Sequence, residues 1–174
     1  MGDPMGFSRF DLTKILLSFL LTLGFLFAGW FIYQEFGVKQ PLHKEVLAVS
    51  GVKKAEVAKA QGRLTVTVDI GEVERIQPFY QEIMQVLPRE EAINVTVRDR
   101  RNDYLLNLWR HNRFAMEEAA AKGNFTEMQL LIENNLSKEK VDYWLLEVDG
   151  ENLYLQIHDG GYYLYEIVRR VDKT

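Results

Sequence analysis

Residues with the chemistry to react or to hold a metal are few and scattered. The three histidines, His43, His111 and His158, lie far apart and share no HxxxH or HExxH spacing. Zinc needs three or four convergent ligands, and these residues do not assemble such a set. The chain has no cysteine, which excludes disulfides, thiolate zinc sites, iron–sulfur clusters and cysteine nucleophiles together. Carboxylates are plentiful, but no spacing pairs two of them as acid and base. Glycine-rich phosphate loops and a serine nucleophile elbow are absent. The expectation is a non-enzymatic chain with no metal and no cofactor.

Two clusters suit binding better than catalysis. Tyr143, Leu145, Tyr154, Tyr163 and Tyr165 fall on one face of a C-terminal run of strands. An open aromatic face can receive a protein, peptide or glycan. The competing account is that cross-strand tyrosine pairs stabilise the sheet itself. Arg98, Arg100, Arg101, Arg110 and Arg113 gather around one strand–helix junction. They suit lipid headgroups, phosphate or an acidic partner. Asp99, Asp103, Glu117 and Glu118 are interleaved with them, which equally describes a solvated, salt-bridged face. Asn94, Asn124 and Asn135 open N-x-S/T triplets that matter only in a glycosylating pathway, and Asn94 falls in a predicted strand.

The elements that must position these clusters divide at an apolar segment. From Ile15 to Tyr33 there is no charged residue, and at helical rise this stretch covers about 30 Å, the thickness of a bilayer core. Trp30 and Tyr33 close one end as interfacial aromatics, and Lys14 can snorkel at the other. A signal peptide would have a shorter apolar core, and Leu26-Phe27-Ala28 fits a cleavage site poorly. The segment therefore reads as a single-pass anchor in a cell membrane. Basic residues are balanced across it, Arg9 and Lys14 against Lys39 and Lys44. A short leading tail favours an extracytoplasmic C-terminal region. Ser18, Thr22 and Gly29 lie within about 40° of one another on a helical wheel, and Gly24 and Ala28 make a second small pair. Such residues let membrane helices touch, although they are also common in such helices generally.

The 174 residues are 47% hydrophobic and 26% charged with a net charge of −4. That composition makes a packed core, and it supplies no overall basic field to hold nucleic acid. After a tail (1–14), the anchor (15–33) and a juxtamembrane linker (34–41), the order over 42–100 reads helix, strand, strand, helix, strand. A short helix spans Leu42 to Val49. A hairpin begins near Glu56 to Ala58 and turns at Gln61-Gly62. In its second strand Leu64, Val66, Val68 and Ile70 alternate with polar residues. Ile76, Tyr80, Ile83, Met84 and Leu87 follow helical spacing before Pro88, and Ile93, Val95 and Val97 alternate in a third strand. This αββαβ order resembles the ring-building and BON-like modules of single-pass envelope assembly proteins. The likeness implies a module that pairs with copies of itself or with neighbours. Ferredoxin-like and KH-like modules use related orders, but a KH module carries a GxxG loop that is missing here.

Residues 101–174 read as a helical hairpin on a three-stranded antiparallel sheet. Asn102 or Asp103 caps a helix ending at Gly123, and Thr126-Glu127 starts a second one that ends near Leu136. Phe125 belongs at their corner. Trp144, Leu146, Val148, Leu153, Leu155, Ile157, Tyr162, Leu164 and Val168 supply the apolar face that these helices cover, with turns at Asp149-Gly150 and Asp159-Gly160-Gly161. The expected class is therefore α+β. The expected function is an anchored assembly or scaffold component that meets the lipid bilayer, itself and other membrane proteins. The alternative is an anchored ligand- or peptide-binding sensor that uses the tyrosine face.

Overall fold

The computed structural model describes residues 9–33, 40–60, 63–88 and 93–171. These form a mixed α+β protein of five helices and two three-stranded sheets. The chain divides into two compact units, residues 1–42 and 43–174. The predicted Gln61-Gly62 turn and most of the linker lie outside the described residues.

In the first unit, helix α1 runs Arg9–Ile32. Its segment Thr13–Ile32 is 20 residues with a mean hydropathy of 2.3, long and apolar enough to cross a membrane. Its large side chains are exposed on every side, from Ile15 to Tyr33. The Thr22 hydroxyl donates to the Ser18 carbonyl at 2.9 Å, which satisfies that polar group within the helix. An added Cβ at Gly24 or Gly29 would meet nothing within 4 Å.

The second unit begins with the end of α2 (Gln40–Ala48), whose Val46 is buried together with Val49 just beyond it. Strands β1 (Val52–Ala60) and β2 (Arg63–Ile70) pair antiparallel, and β3 (Ile93–Arg98) joins β2 in parallel after helix α3 (Ile76–Val86). The alternation in β2 has the expected consequence, for Leu64, Val66, Val68 and Ile70 are all buried. Strand β1 starts at Val52, earlier than its weak pattern suggests. On α3 the buried stripe is Ile76, Phe79 and Ile83, followed by Leu87. Met84 is exposed, and Tyr80 turns to the second sheet instead. The 3.6-residue period allows either set, and the neighbour selects between them.

Helix α4 (Asp103–Lys122) is capped by the Asn102 side chain, which accepts from the Leu105 N–H at 2.9 Å. It stops at Gly123, whose φ of 80° is left-handed and therefore favours glycine. Helix α5 (Phe125–Leu136) returns beside it. Buried Asn112 joins the pair, because its side-chain oxygen accepts from Asn135 at 3.0 Å. Strands β4 (Tyr143–Val148), β5 (Asn152–Asp159) and β6 (Tyr162–Arg169) form an antiparallel meander in that order. Its aliphatic face packs on Leu105, Leu108, Trp109, Met116, Met128 and Ile132 of the two helices. The second turn uses Gly160 and Gly161 at positive φ, whereas Gly150 does not adopt positive φ. In that first turn the Asp149 carboxylate takes over by accepting the N–H groups of Glu151 and Asn152, each at 2.8 Å.

Candidate functional site at the seam between the sheets

The meander has a second buried face. By register, Tyr143, Leu145 and Glu147 of β4 lie beside His158, Gln156 and Tyr154 of β5, and these lie beside Tyr163, Tyr165 and Ile167 of β6. The predicted tyrosine set does share one face, but the expectation that this face is open is corrected. Tyr154, Tyr163 and Tyr165 are buried, and of the four only Tyr143 is exposed. The cover is the loop between β2 and α3 together with the first turn of α3.

Hydrogen bonds make this seam. The Tyr165 hydroxyl accepts from the Val73 N–H at 2.9 Å. The Tyr163 hydroxyl donates to the Ile70 carbonyl at 3.2 Å and accepts from Lys53 Nζ at 3.4 Å. Gln156 is fully buried. Its Oε1 accepts from the Ile76 N–H at 2.8 Å, and its Nε2 donates to the Glu74 carbonyl at 2.9 Å. Ile76 is the first residue of α3, and the Arg75 side chain at the cap position makes no capping hydrogen bond to the helix start. A helix start leaves its first N–H groups without partners. Here a glutamine from the other sheet satisfies one of them.

Charged groups close the rim. Glu147 accepts from Arg75 Nε at 3.0 Å, and His158 Nδ1 lies 3.2 Å from Glu72. The His158 ring sits between Tyr143 and Tyr165, 5.6 Å from each centroid. Asp149 accepts from the Tyr154 hydroxyl at 2.7 Å and from Gln81 Nε2 at 2.9 Å. Burial alone would raise the Asp149 carboxyl, but hydrogen bonds from Tyr154, Glu151, Asn152 and Gln81 outweigh it and hold the group at about 2. Burial pushes the Tyr154 and Tyr165 hydroxyls upward, so both stay neutral at ordinary pH. A cleft of about 920 Å³ opens beside Tyr80, Gln81, Met84, Asp149, Tyr154 and Arg169. Two of its polar groups, Asp149 and Tyr154, are already bonded to each other.

The arginines do not converge. Arg98 reaches Glu56 at 3.5 Å and Asp69 at 3.6 Å, while Arg110 bonds Asn107 at 3.2 Å. Arg113 pairs with Glu117 on the same helix, and Arg100 stacks over Tyr162 at 5.2 Å. Arg101 is the structural one. It grips Asp99 at 2.7 Å and Glu166 at 2.5 Å. Burial opposes its charge, but these two carboxylates more than compensate and raise its pKa. Asp99 also accepts from the Tyr165 N–H at 2.7 Å, and the Arg100 carbonyl accepts from the Tyr163 N–H at 3.1 Å. The segment after β3 is thereby stitched to the outer edge of β6.

Ser18, Thr22 and Gly29 lie on α1, in the first unit. The histidines stay apart, and among the described residues no group of three His, Asp or Glu side chains is placed to hold a metal. Gln156, Asp99, Glu166 and Asp149 are the site residues that sequence reasoning missed. Gln156 does carry a signal, a lone amide inside an otherwise apolar and aromatic strand. Compared with known protein families, curated proteins and solved structures, the chain matches none.

Proposed function

We propose that this chain is a non-enzymatic, single-pass membrane protein whose α+β unit is an assembly or scaffold component. The observation that carries this reading is the pairing of α1, apolar on all sides, with a unit whose buried tyrosine, glutamine and aspartate groups bond within it. Tyrosines, Gln156, Asp149 and the Asp99–Arg101–Glu166 cluster bond to one another and to backbone groups. Such an internally bonded unit suits the presentation of surfaces. The element order α2-β1-β2-α3-β3 supports the likeness to ring-building and BON-like modules as a fold-level analogy. The length and apolarity of α1 support a location in a cell membrane, and the proposed orientation has the α+β unit extracytoplasmic. Its partners are the bilayer, further copies and other membrane proteins.

In-cell crosslinking of the full-length protein with mass spectrometry, combined with a topology reporter, tests the proposal. Self-crosslinks or crosslinks to other membrane proteins, with the C-terminus outside, are the expected result. A chain that is monomeric in membranes and has no protein neighbours overturns it.

A further inference from the structure

We infer that the outer edge of β4 is a self-association surface, which pairs antiparallel with β4 of a second copy about a two-fold axis centred on Leu146. The inference rests on the assembly reading above and names the surface that would carry it.

The free edges of the two sheets are not alike. Unpaired strand edges attract other strands, and proteins protect them with lysines, proline, short length or cover. β1 carries Lys53, Lys54 and Lys59. β3 is as short as β4 but ends on Arg98, whose charge lies at that edge's end. The outer edge of β6 is covered by the Arg100 carbonyl and the Asp99 carboxylate. β4 reads Tyr-Trp-Leu-Leu-Glu-Val, without lysine, arginine or proline. Its one charge, Glu147, is held by Arg75 of the same chain.

The ladder shows which backbone groups face outward. The Asp149 N–H donates to the Asn152 carbonyl at 3.0 Å, in line with the register that pairs Glu147 with Tyr154 and Leu145 with Gln156. Odd-numbered residues therefore bond inward to β5, and alternation turns the N–H and C=O groups of Trp144, Leu146 and Val148 outward. Among the described residues β4 is an edge strand whose one ladder partner is β5.

A two-fold axis perpendicular to the sheet keeps like faces together. It requires a register in which even residues oppose even residues. Centring it on Leu146 opposes Trp144 to Val148 of the other copy, and all three outward residues then bond across the junction. The contact is isologous and closes as a dimer. It also covers Trp144 and Leu146, which are only partly buried against the helices. Confinement to one membrane through α1 would raise the encounter rate between copies.

The absence of native cysteine makes the test direct. In membranes containing the full chain, Leu146→Cys places two sulfurs across the axis, where opposed Cα atoms are about 5.5 Å apart, within disulfide reach. Mild oxidation should give a covalent dimer, while Leu131→Cys, exposed on α5, should not. Adding Val148→Pro removes an outward N–H from each copy without touching the inward ladder, and should reduce the crosslink about tenfold. Because Leu146 also touches the core, Val148→Pro is examined alone as well, by single-molecule counting of the otherwise unchanged chain, with loss of dimer expected. Equal crosslinking at Leu146 and Leu131, or dimers that survive Val148→Pro, overturns the β4 surface. Oligomers that persist through another surface leave the assembly reading standing, whereas monomers throughout remove both.

Discussion

The two faces of the meander are built from the same three strands and held by different physics. One face is aliphatic: Leu153, Leu155, Ile157 and Leu164 are fully buried against α4 and α5. The other carries Tyr154, Gln156, Tyr163 and Tyr165, buried as deeply, yet each of these ends in a polar atom with a named partner. The first face contributes non-directional burial, and many arrangements of its covering helices would satisfy it. The second contributes little net energy per bond but has a steep cost for any wrong alignment, because a misplaced loop leaves buried polar groups unpaired. The aliphatic face therefore supplies cohesion. The aromatic face fixes where the β2–α3 loop sits.

Substitutions on the two faces separate these roles, and the largest effect belongs to the aliphatic side. Leu155→Ala should cost roughly 2–5 kcal/mol through lost transfer energy and an unfilled cavity, read as a lower denaturant midpoint of the solubilised protein. Gln156→Leu keeps the bulk but strands the Ile76 N–H and the Glu74 carbonyl. A loss of about 1–3 kcal/mol is expected, and hydrogen exchange should accelerate at Ile76 while the α4 amides are spared. If exchange instead rises evenly over both faces, the division of labour is wrong. Tyr165→Phe removes one hydroxyl and should cost about 1 kcal/mol, visible as faster exchange at Val73.

A pH dependence is also expected from Asp149 on the aromatic side. Asp149 lies near 2 in the folded protein, below its ordinary 3.8. The folded value is the depressed one, so the stabilisation is complete above about pH 4 and is lost as pH falls towards 2. Asp149→Asn should flatten the stability profile across that window. An unchanged slope would remove Asp149 from the seam's electrostatics.

Local signals were legible where one residue type has one structural use. Asn102 and Gly123 announce the ends of α4, and Gly160-Gly161 announces the second turn through positive φ. Asp149-Gly150 announces a turn too, but the aspartate side chain makes it, because a carboxylate accepting two successive N–H groups needs no left-handed glycine. The tyrosine face illustrates the limit. Period two assigns Tyr154, Tyr163 and Tyr165 to one side of the sheet, but alternation carries no information about what lies above that side. On α3 the same limit left Phe79 and Tyr80 interchangeable.

By itself, then, the sequence determined the apolar length of α1, the α+β class, the strand alternation and the caps of α4. Each of these follows from backbone geometry and solvent preference within a few residues. Only the tertiary structure decided that the aromatic face is closed, that Gln156 caps a helix beginning eighty positions earlier, and that Arg101 joins Asp99 to Glu166. Those choices depend on the direction and distance of donors and acceptors brought together by folding. A hydrogen bond is specified by the meeting of two groups, and one strand's pattern records only its own half.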